Sequence, residues 1–204
     1  MLYYLLSGVI FGLAAGFAPG PLLALVISET LEHGIRSGIQ VALAPVITDI
    51  PIILLALFAV SRLSGFDRIL GTISVLGGCY VLYLGYQSIR LNSRKTFQLE
   101  TKPDSLTRGV LTNALSPHPY LFWISVGAPM LTKSVVAGTA APFIFIAGFY
   151  AFLVGAKITL AMLVGKSKSF MSDNAYRYTL RFLGFALTGF SVVLFADGIK
   201  LLGW

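Results

Sequence analysis

Charge is what this chain has least of. Only 11% of its 204 residues are Asp, Glu, Lys or Arg, against roughly 25% in an ordinary soluble domain. Hydrophobic residues make up 56% and the mean hydropathy is +0.84. A soluble domain of this size could not hide that much apolar surface, so disorder, a secreted disulfide scaffold and an ordinary cytosolic enzyme are excluded. The single cysteine, Cys79, excludes an intrachain disulfide, a Cys-based metal site and a dithiol redox carrier. Enzyme signatures are missing as well: there is no His-Glu-x-x-His, no Gly-x-Ser-x-Gly and no Walker loop. The two histidines, His33 and His118, fall at depths that do not suit a shared haem. A metal carrier would need clustered carboxylates, His or Cys in the apolar spans. No metal or other cofactor is therefore expected.

What the chain has is long uncharged runs. A membrane-crossing helix needs about 20 mostly apolar residues. Residues 1–28, 69–89 and 109–132 carry no Asp, Glu, Lys or Arg; 37–61 carries only Asp49, 134–165 only Lys157, and 182–203 only Asp197 and Lys200. These are six candidate spans. Runs this long predict helices, since a membrane barrel shows short alternating segments. The first run lacks the basic start of a cleaved signal peptide, because the first Lys or Arg is Arg36.

The net charge of +7 reads as topology, with no nucleic-acid partner expected. Arg36, then Arg90, Arg94, Lys95, Lys102 and Arg108, then Lys166, Lys168, Arg177 and Arg181 fall in alternate connections; the other connections and the end of the last span hold only Arg62, Arg68, Lys133 and Lys200. By the positive-inside rule the richer side is cytoplasmic, which places both termini outside.

The two halves carry related signatures. Pro19-Gly20-Pro21 in span 1 resembles Pro117-His118-Pro119 in span 4, 98 residues on; Asp49 in span 2 aligns with Lys157 in span 5, and Gly78 in span 3 with Gly189 in span 6. Three spans per half put two such halves in opposite senses. The expectation is an all-α integral membrane fold with six transmembrane helices as two inverted three-helix repeats. Helices 1 and 4 are broken at proline. A single transmembrane domain covers 1–204, with repeat 1 at about 1–91, a cytoplasmic linker at about 92–107 and repeat 2 at about 108–204. Proline removes a donor and clashes with the preceding turn, costing ~3 kcal/mol or more inside a helix. Paired prolines in an apolar span therefore point to irregular backbone, which persists in a membrane only where it is buried in protein or lines a wet cavity. Interrupted helices in inverted repeats are a signature of secondary transporters, with the substrate near the midplane.

These features nominate a short list of residues. Pro19, Gly20, Pro21, Asn113, His118 and Pro119 are the candidate substrate-binding set, and Asp49 and Lys157 the candidate coupling or gating pair, because an intramembrane charge is costly without a partner or a cavity. The equivalent places of Asp49 and Lys157 suggest that they approach one another in at least one state; a structural ion pair is the alternative. Glu29, Glu32 and His33 read as solvated residues of the first connection, with Glu29 alone near enough to guard an entrance. Asp197 reads as interfacial. Gly8, Gly12, Gly16 and Gly20 form a stripe spaced by four. That stripe suits close helix packing, or a face for a second copy of the chain in a homodimer.

Three motifs in order resemble the lysine-exporter (LysE-type) superfamily of small amino-acid exporters, over most of the chain. The first is Pro19-Gly20-Pro21, followed by His33-Gly34-Ile35-Arg36-Ser37-Gly38 and Asp49. The second is Asn113 to Trp123, similar to the family's Asn-Pro-x-x-x-x-Phe-Trp segment. The third is Leu76 to Gly85, similar to its Gly-x-x-Tyr-Leu-x-x-x-Gly. The resemblance implies a six-helix exporter of amino acids or related small solutes, driven by the proton-motive force, in a bacterial or archaeal cytoplasmic membrane. Ala44-Pro45, the Ser116-Pro117-His118-Pro119 form and Lys157 depart from the family pattern and mark a divergent branch. Two other classes remain open: a non-transporting membrane subunit, which expects a dry, filled centre and an exposed small-residue face, and an intramembrane enzyme, which expects His118 and Asp49 within hydrogen-bond reach.

Overall fold

The computed structural model describes residues 1–60, 66–90, 104–168 and 172–203. Arg62, Arg94, Lys95 and Lys102 of the topology argument, and residues 92–103 of the linker, lie outside the described residues. All regular structure among the described residues is helical: α1 (Leu2–Phe17), α2 (Pro21–His33), α3 (Ile35–Val60), α4 (Phe66–Arg90), α5 (Ser105–Ala114), α6 (Pro117–Phe122), a π-helical stretch (Trp123–Gly127), α7 (Ala128–Ala137), α8 (Ala141–Ser167) and α9 (Asp173–Leu202).

Among the described residues, four helical runs are long and apolar enough to cross a membrane: Ile35–Leu57, Pro117–Ala137, Ala141–Ser167 and Arg177–Leu202. The bent pair α1 and α2, which meet at 63°, makes a fifth if counted as one span. The outer surface agrees with lipid contact. Val136 is 90% exposed, Phe143 73% and Phe182 71%, with Ile10, Ile50, Leu54 and Val192 also exposed. A soluble monomer does not carry so much large apolar surface. The chain is a multi-pass membrane protein.

The first break falls where the paired prolines place it. α1 stops at Phe17, and Pro21 opens α2 at its first position, where a missing N–H costs no helical bond. The second break lies earlier than the proline pair. α5 ends at Ala114, the chain turns at Leu115 and Ser116, and Pro117 opens α6. His118 and Pro119 therefore sit inside the first turn of a helix, a correction to the expectation that Pro117-His118-Pro119 itself interrupts the span. The helix then widens to π geometry over Trp123–Gly127. Pro129, just beyond, lacks the N–H that would close the bond to Ser125, so the ladder must loosen there.

Two further boundaries move. Gly34, at φ 95°, ends α2, and Gly138, at φ 138°, ends α7; both conformations favour glycine. Span 5 thus begins at Ala141 rather than near residue 134, and Ser134 belongs to α7.

Packing is most extensive between α4 and α9 and between α1 and α8, followed by α3 with α5 and α2 with α3. The glycine stripe explains the second pair. A Cβ on Gly8 would lie 2.5 Å from the Phe145 carbonyl oxygen, and one on Gly16 would lie 2.7 Å from the Ala156 Cβ; Gly12 presses equally on the Phe149 carbonyl. The stripe is thus occupied within the chain by α8 and gives no face to a second copy. Gly20 does not share in it, having open space where a Cβ would stand. Two buried clusters complete the core. One gathers Leu25, Val41, Val81, Leu84, Leu187 and Leu194 from α2, α3, α4 and α9. The other gathers Ile52, Trp123, Phe145, Phe149 and Leu153 around the π-helical stretch.

Candidate functional site

Both breaks open on one cavity of about 420 Å³. Its wall contains Pro19, Gly20 and Pro21 from the first break, and Asn113, Ser116, His118 and Pro119 from the second. Asp49 from α3 and Lys157 from α8 also border it. All eight residues nominated from the sequence thus share one space. Most of the remaining wall is apolar, with Phe11, Leu22, Phe122, Val126, Phe149 and Leu153 among it. Phe122 stacks on Phe149 with ring centroids 5.1 Å apart, and Phe11 meets the edge of Phe122.

Asp49 is buried, 3% exposed, between Pro45 and Pro51 of α3. Its carboxylate is held by neutral donors from three other elements. Asn113 Nδ2 donates to Oδ1 at 3.0 Å, and Trp123 Nε1 and Tyr150 Oη each donate to Oδ2 at 3.2 Å. The Thr48 hydroxyl lies 3.4 Å from Oδ1, donates to the Ala44 carbonyl at 3.1 Å, and accepts a second proton of Asn113 Nδ2 at 2.6 Å. This network ties α3 to α5, to the π-helical stretch and to α8. Sequence reasoning named Asn113 but missed Trp123 and Tyr150 as partners. The available signal was their polar handle, since a buried indole N–H or phenol needs an acceptor and this part of the chain offers one carboxylate.

Lys157 is also buried, 4% exposed. Its ammonium donates to the carbonyls of Gly16 at 3.0 Å and Ala15 at 3.4 Å. These belong to the last turn of α1, where carbonyls have no helical partner and the dipole favours a cation. Lys157 therefore caps α1 where it breaks. Asp49 and Lys157 border the same cavity but form no ion pair in this structure, each being held by its own set of groups.

His118 is exposed on the wall and has no hydrogen bond to Asp49 in this structure, so the pairing an intramembrane enzyme would need is not formed. Thr112, a residue sequence reasoning did not single out, is 1% exposed, borders the cavity, and has a hydroxyl with no hydrogen-bond partner.

A second polar cluster joins α2 to α5. Glu29 is 1% exposed and Glu32 is buried, so the reading of these residues as solvated is corrected. Arg108 Nη1 lies 2.9 Å from Glu29 Oε1, the Ser105 hydroxyl donates to Oε2 at 2.7 Å, and His33 Nδ1 is 3.1 Å from Oε2. The main partner lies 79 residues away in sequence. That is why a local reading could not find it. Glu29, Glu32 and His33 bring ligand-type atoms within 4.8 Å of one another, but Arg108 already neutralises Glu29. Asp104 caps α5, accepting from the Thr107 amide and hydroxyl, and these bonds hold its carboxyl below the ordinary value.

The chain is 29% identical over 117 residues to the uncharacterized membrane protein YahN of Escherichia coli K12, covering 54% of this chain and 52% of that protein. It is 24% identical over 156 residues to the chemotactic transduction protein ChpE of Pseudomonas aeruginosa PAO1, covering 73% of this chain and 76% of that one. The chain thus spans about half the length of YahN. No solved structure matches. The LysE type translocator family matches residues 13–198, from α1 to α9. This chain, a membrane protein whose two helix breaks share one cavity, belongs to the LysE-type translocator family.

Proposed function

We propose that the protein is a secondary exporter of amino acids or related small solutes, driven by the proton-motive force across the cytoplasmic membrane. The observation that carries this reading is the cavity itself: irregular backbone from two separate helices, and two buried residues of opposite charge, border one space. Membrane-depth backbone breaks of this kind are tolerated where they line a cavity, and secondary transporters bind substrate at such breaks. In this reading Pro19, Gly20, Pro21, Asn113, His118 and Pro119 contact the solute, and Asp49 and Lys157 couple or gate.

The reading takes α4 as a further span. It has 25 residues, and residues 69–89 contain no charge. Six spans then form two inverted repeats, 1–91 and 108–204, with both termini outside and the linker cytoplasmic. The packing supports this exchange. Swapping the halves maps the α1–α8 pair onto the packing of α3 against α5, and maps α4–α9 onto itself. The Glu29–Arg108 cluster joins the cytoplasmic half of span 1 to that of span 4 and closes the inner entrance. A homodimer would have to use a face other than the glycine stripe.

A non-transporting membrane subunit is the second reading. The name of ChpE, a chemotactic transduction protein, favours it; the polar groups on the cavity wall and the buried glycine stripe weigh against it. A cysteine at Gly20, where a Cβ meets open space, separates the two in a Cys79→Ser background. A water-soluble, membrane-impermeant thiol reagent reacts with it from at least one face if the cavity is wet. No reaction from either face, in protein that reacts once denatured, would leave the subunit reading ahead.

A further inference from the structure

The polar groups on the cavity wall are unequal in what they have left to offer. A carboxylate accepts at about four lone-pair sites. Asp49 already receives Asn113, Trp123 and Tyr150, with the Thr48 hydroxyl at 3.4 Å. Little acceptor capacity remains for an incoming ammonium, and Lys157 on the same wall repels one. Some donors remain unused. The Lys157 ammonium has three protons and two carbonyl partners, Ala15 and Gly16. α2 is 13 residues long, follows Gly20 without a side-chain cap, and has open space beside Gly20. Its first-turn N–H groups at Leu22 and Leu23 have no acceptor within the helix, and both residues border the cavity. Such a terminus favours an anion. Independently of it, Thr112, a residue of this wall, has a buried hydroxyl that lacks any partner.

We propose that the cavity takes small carboxylates with an apolar body, holds them by the carboxylate, and makes no use of an amine. The carboxylate sits against the Lys157 ammonium and the start of α2, and the phenyl-rich wall takes the hydrocarbon. Asp49 organises the wall through its donors and does not receive a substrate cation. Cationic solutes are rejected, and an amino group is tolerated only as a passenger. The inference deepens the exporter reading and rests on it for the use of the cavity.

The test is binding to the purified full-length protein in lipid nanodiscs, using three molecules of one skeleton. Leucine carries both groups, 4-methylpentanoate only the carboxylate, and 3-methylbutylamine only the amine. The expected result is that 4-methylpentanoate binds within tenfold of leucine, while the amine binds at least a hundredfold more weakly. Lys157→Met lowers affinity for the acid tenfold or more, and Thr112→Val lowers it severalfold. Amine binding equal to that of the acid, leucine binding without acid binding, or no binding of any of the three overturns the proposal. The wild-type comparison stands even if Lys157→Met fails to fold. Gradient-driven efflux of other solutes together with no acid binding would overturn this inference and leave the exporter reading intact. Acid binding without efflux of any bound solute would do the reverse.

Discussion

Replacing Arg108 with Met removes a guanidinium from a carboxylate that is 1% exposed. Breaking a buried pair by deleting one partner costs about 3–5 kcal/mol, because the remaining charge is left uncompensated. Here the cost should be smaller. Glu29 keeps the Ser105 hydroxyl at 2.7 Å and His33 Nδ1 at 3.1 Å, and the Arg108 side chain is 30% exposed. The loss is then closer to that of a charged hydrogen bond, about 1.5–3 kcal/mol. Adding Glu29→Gln removes the stranded charge, so the double variant should recover about 1 kcal/mol or more over Arg108→Met alone. The assay is unfolding in mixed micelles followed by tryptophan fluorescence, with the four proteins of the cycle compared at one detergent composition. Arg108→Met as stable as wild type, or a double variant whose loss equals the sum of the two single losses, would refute the claim that this pair holds α2 to α5.

Four further outcomes follow from the same geometry. Gly8→Val must displace the Phe145 carbonyl, 2.5 Å from the first added carbon, and should destabilise by about 1–3 kcal/mol; a melting temperature like that of wild type would mean that α1 does not press on α8. Trp123→Phe removes one donor to Asp49 Oδ2 and should cost about 1–3 kcal/mol, with most of the loss absent in an Asp49→Asn background; equal losses in both backgrounds would contradict the network. The Asp104 carboxyl is held below its ordinary value of 3.8 by Thr107, so its cap is fully present above that value and is lost as pH falls through the lowered one. Protection of the Thr107 amide, its exchange measured against the intrinsic rate at the same pH, should fall only below that range, and a loss of protection between pH 5 and 7 would contradict it. Asp49→Asn combined with Lys157→Met should abolish gradient-dependent efflux, and efflux equal to wild type would remove both from coupling.

Much of the site was legible because proline and charge are rare in apolar spans. Pro19-Gly20-Pro21 marked the first break correctly, since Pro21 cannot sit inside a helix without loss but can begin one. The second break was misplaced for the same reason read the other way: Pro117 also begins a helix, which moves the break back to Leu115 and Ser116. Asp49 and Lys157 stood out as the only charges deep in spans 2 and 5, yet their partners were not visible. Lys157 holds backbone carbonyls of Ala15 and Gly16, and carbonyls leave no trace in sequence. Glu29 was misread because its neutralising arginine is 79 residues distant, and nothing local distinguishes a paired carboxylate from a solvated one. Thr112 was passed over because a threonine in an apolar helix ordinarily bonds the preceding turn, as Thr30 does with Val26; its lack of a partner is a property of the folded chain.

In the proposed function, solute crosses the membrane through the cavity between the two breaks, driven by a proton gradient. Proteoliposomes loaded with a labelled panel of amino acids, small carboxylates and small cations test it most directly, with a pH gradient imposed and then dissipated. Gradient-dependent efflux of at least one carboxylate-bearing solute is expected, lost when a bulky thiol reagent occupies a cysteine at Gly20. Efflux that is indifferent to the gradient, that persists with that cysteine modified, or that is absent across the whole panel would contradict it.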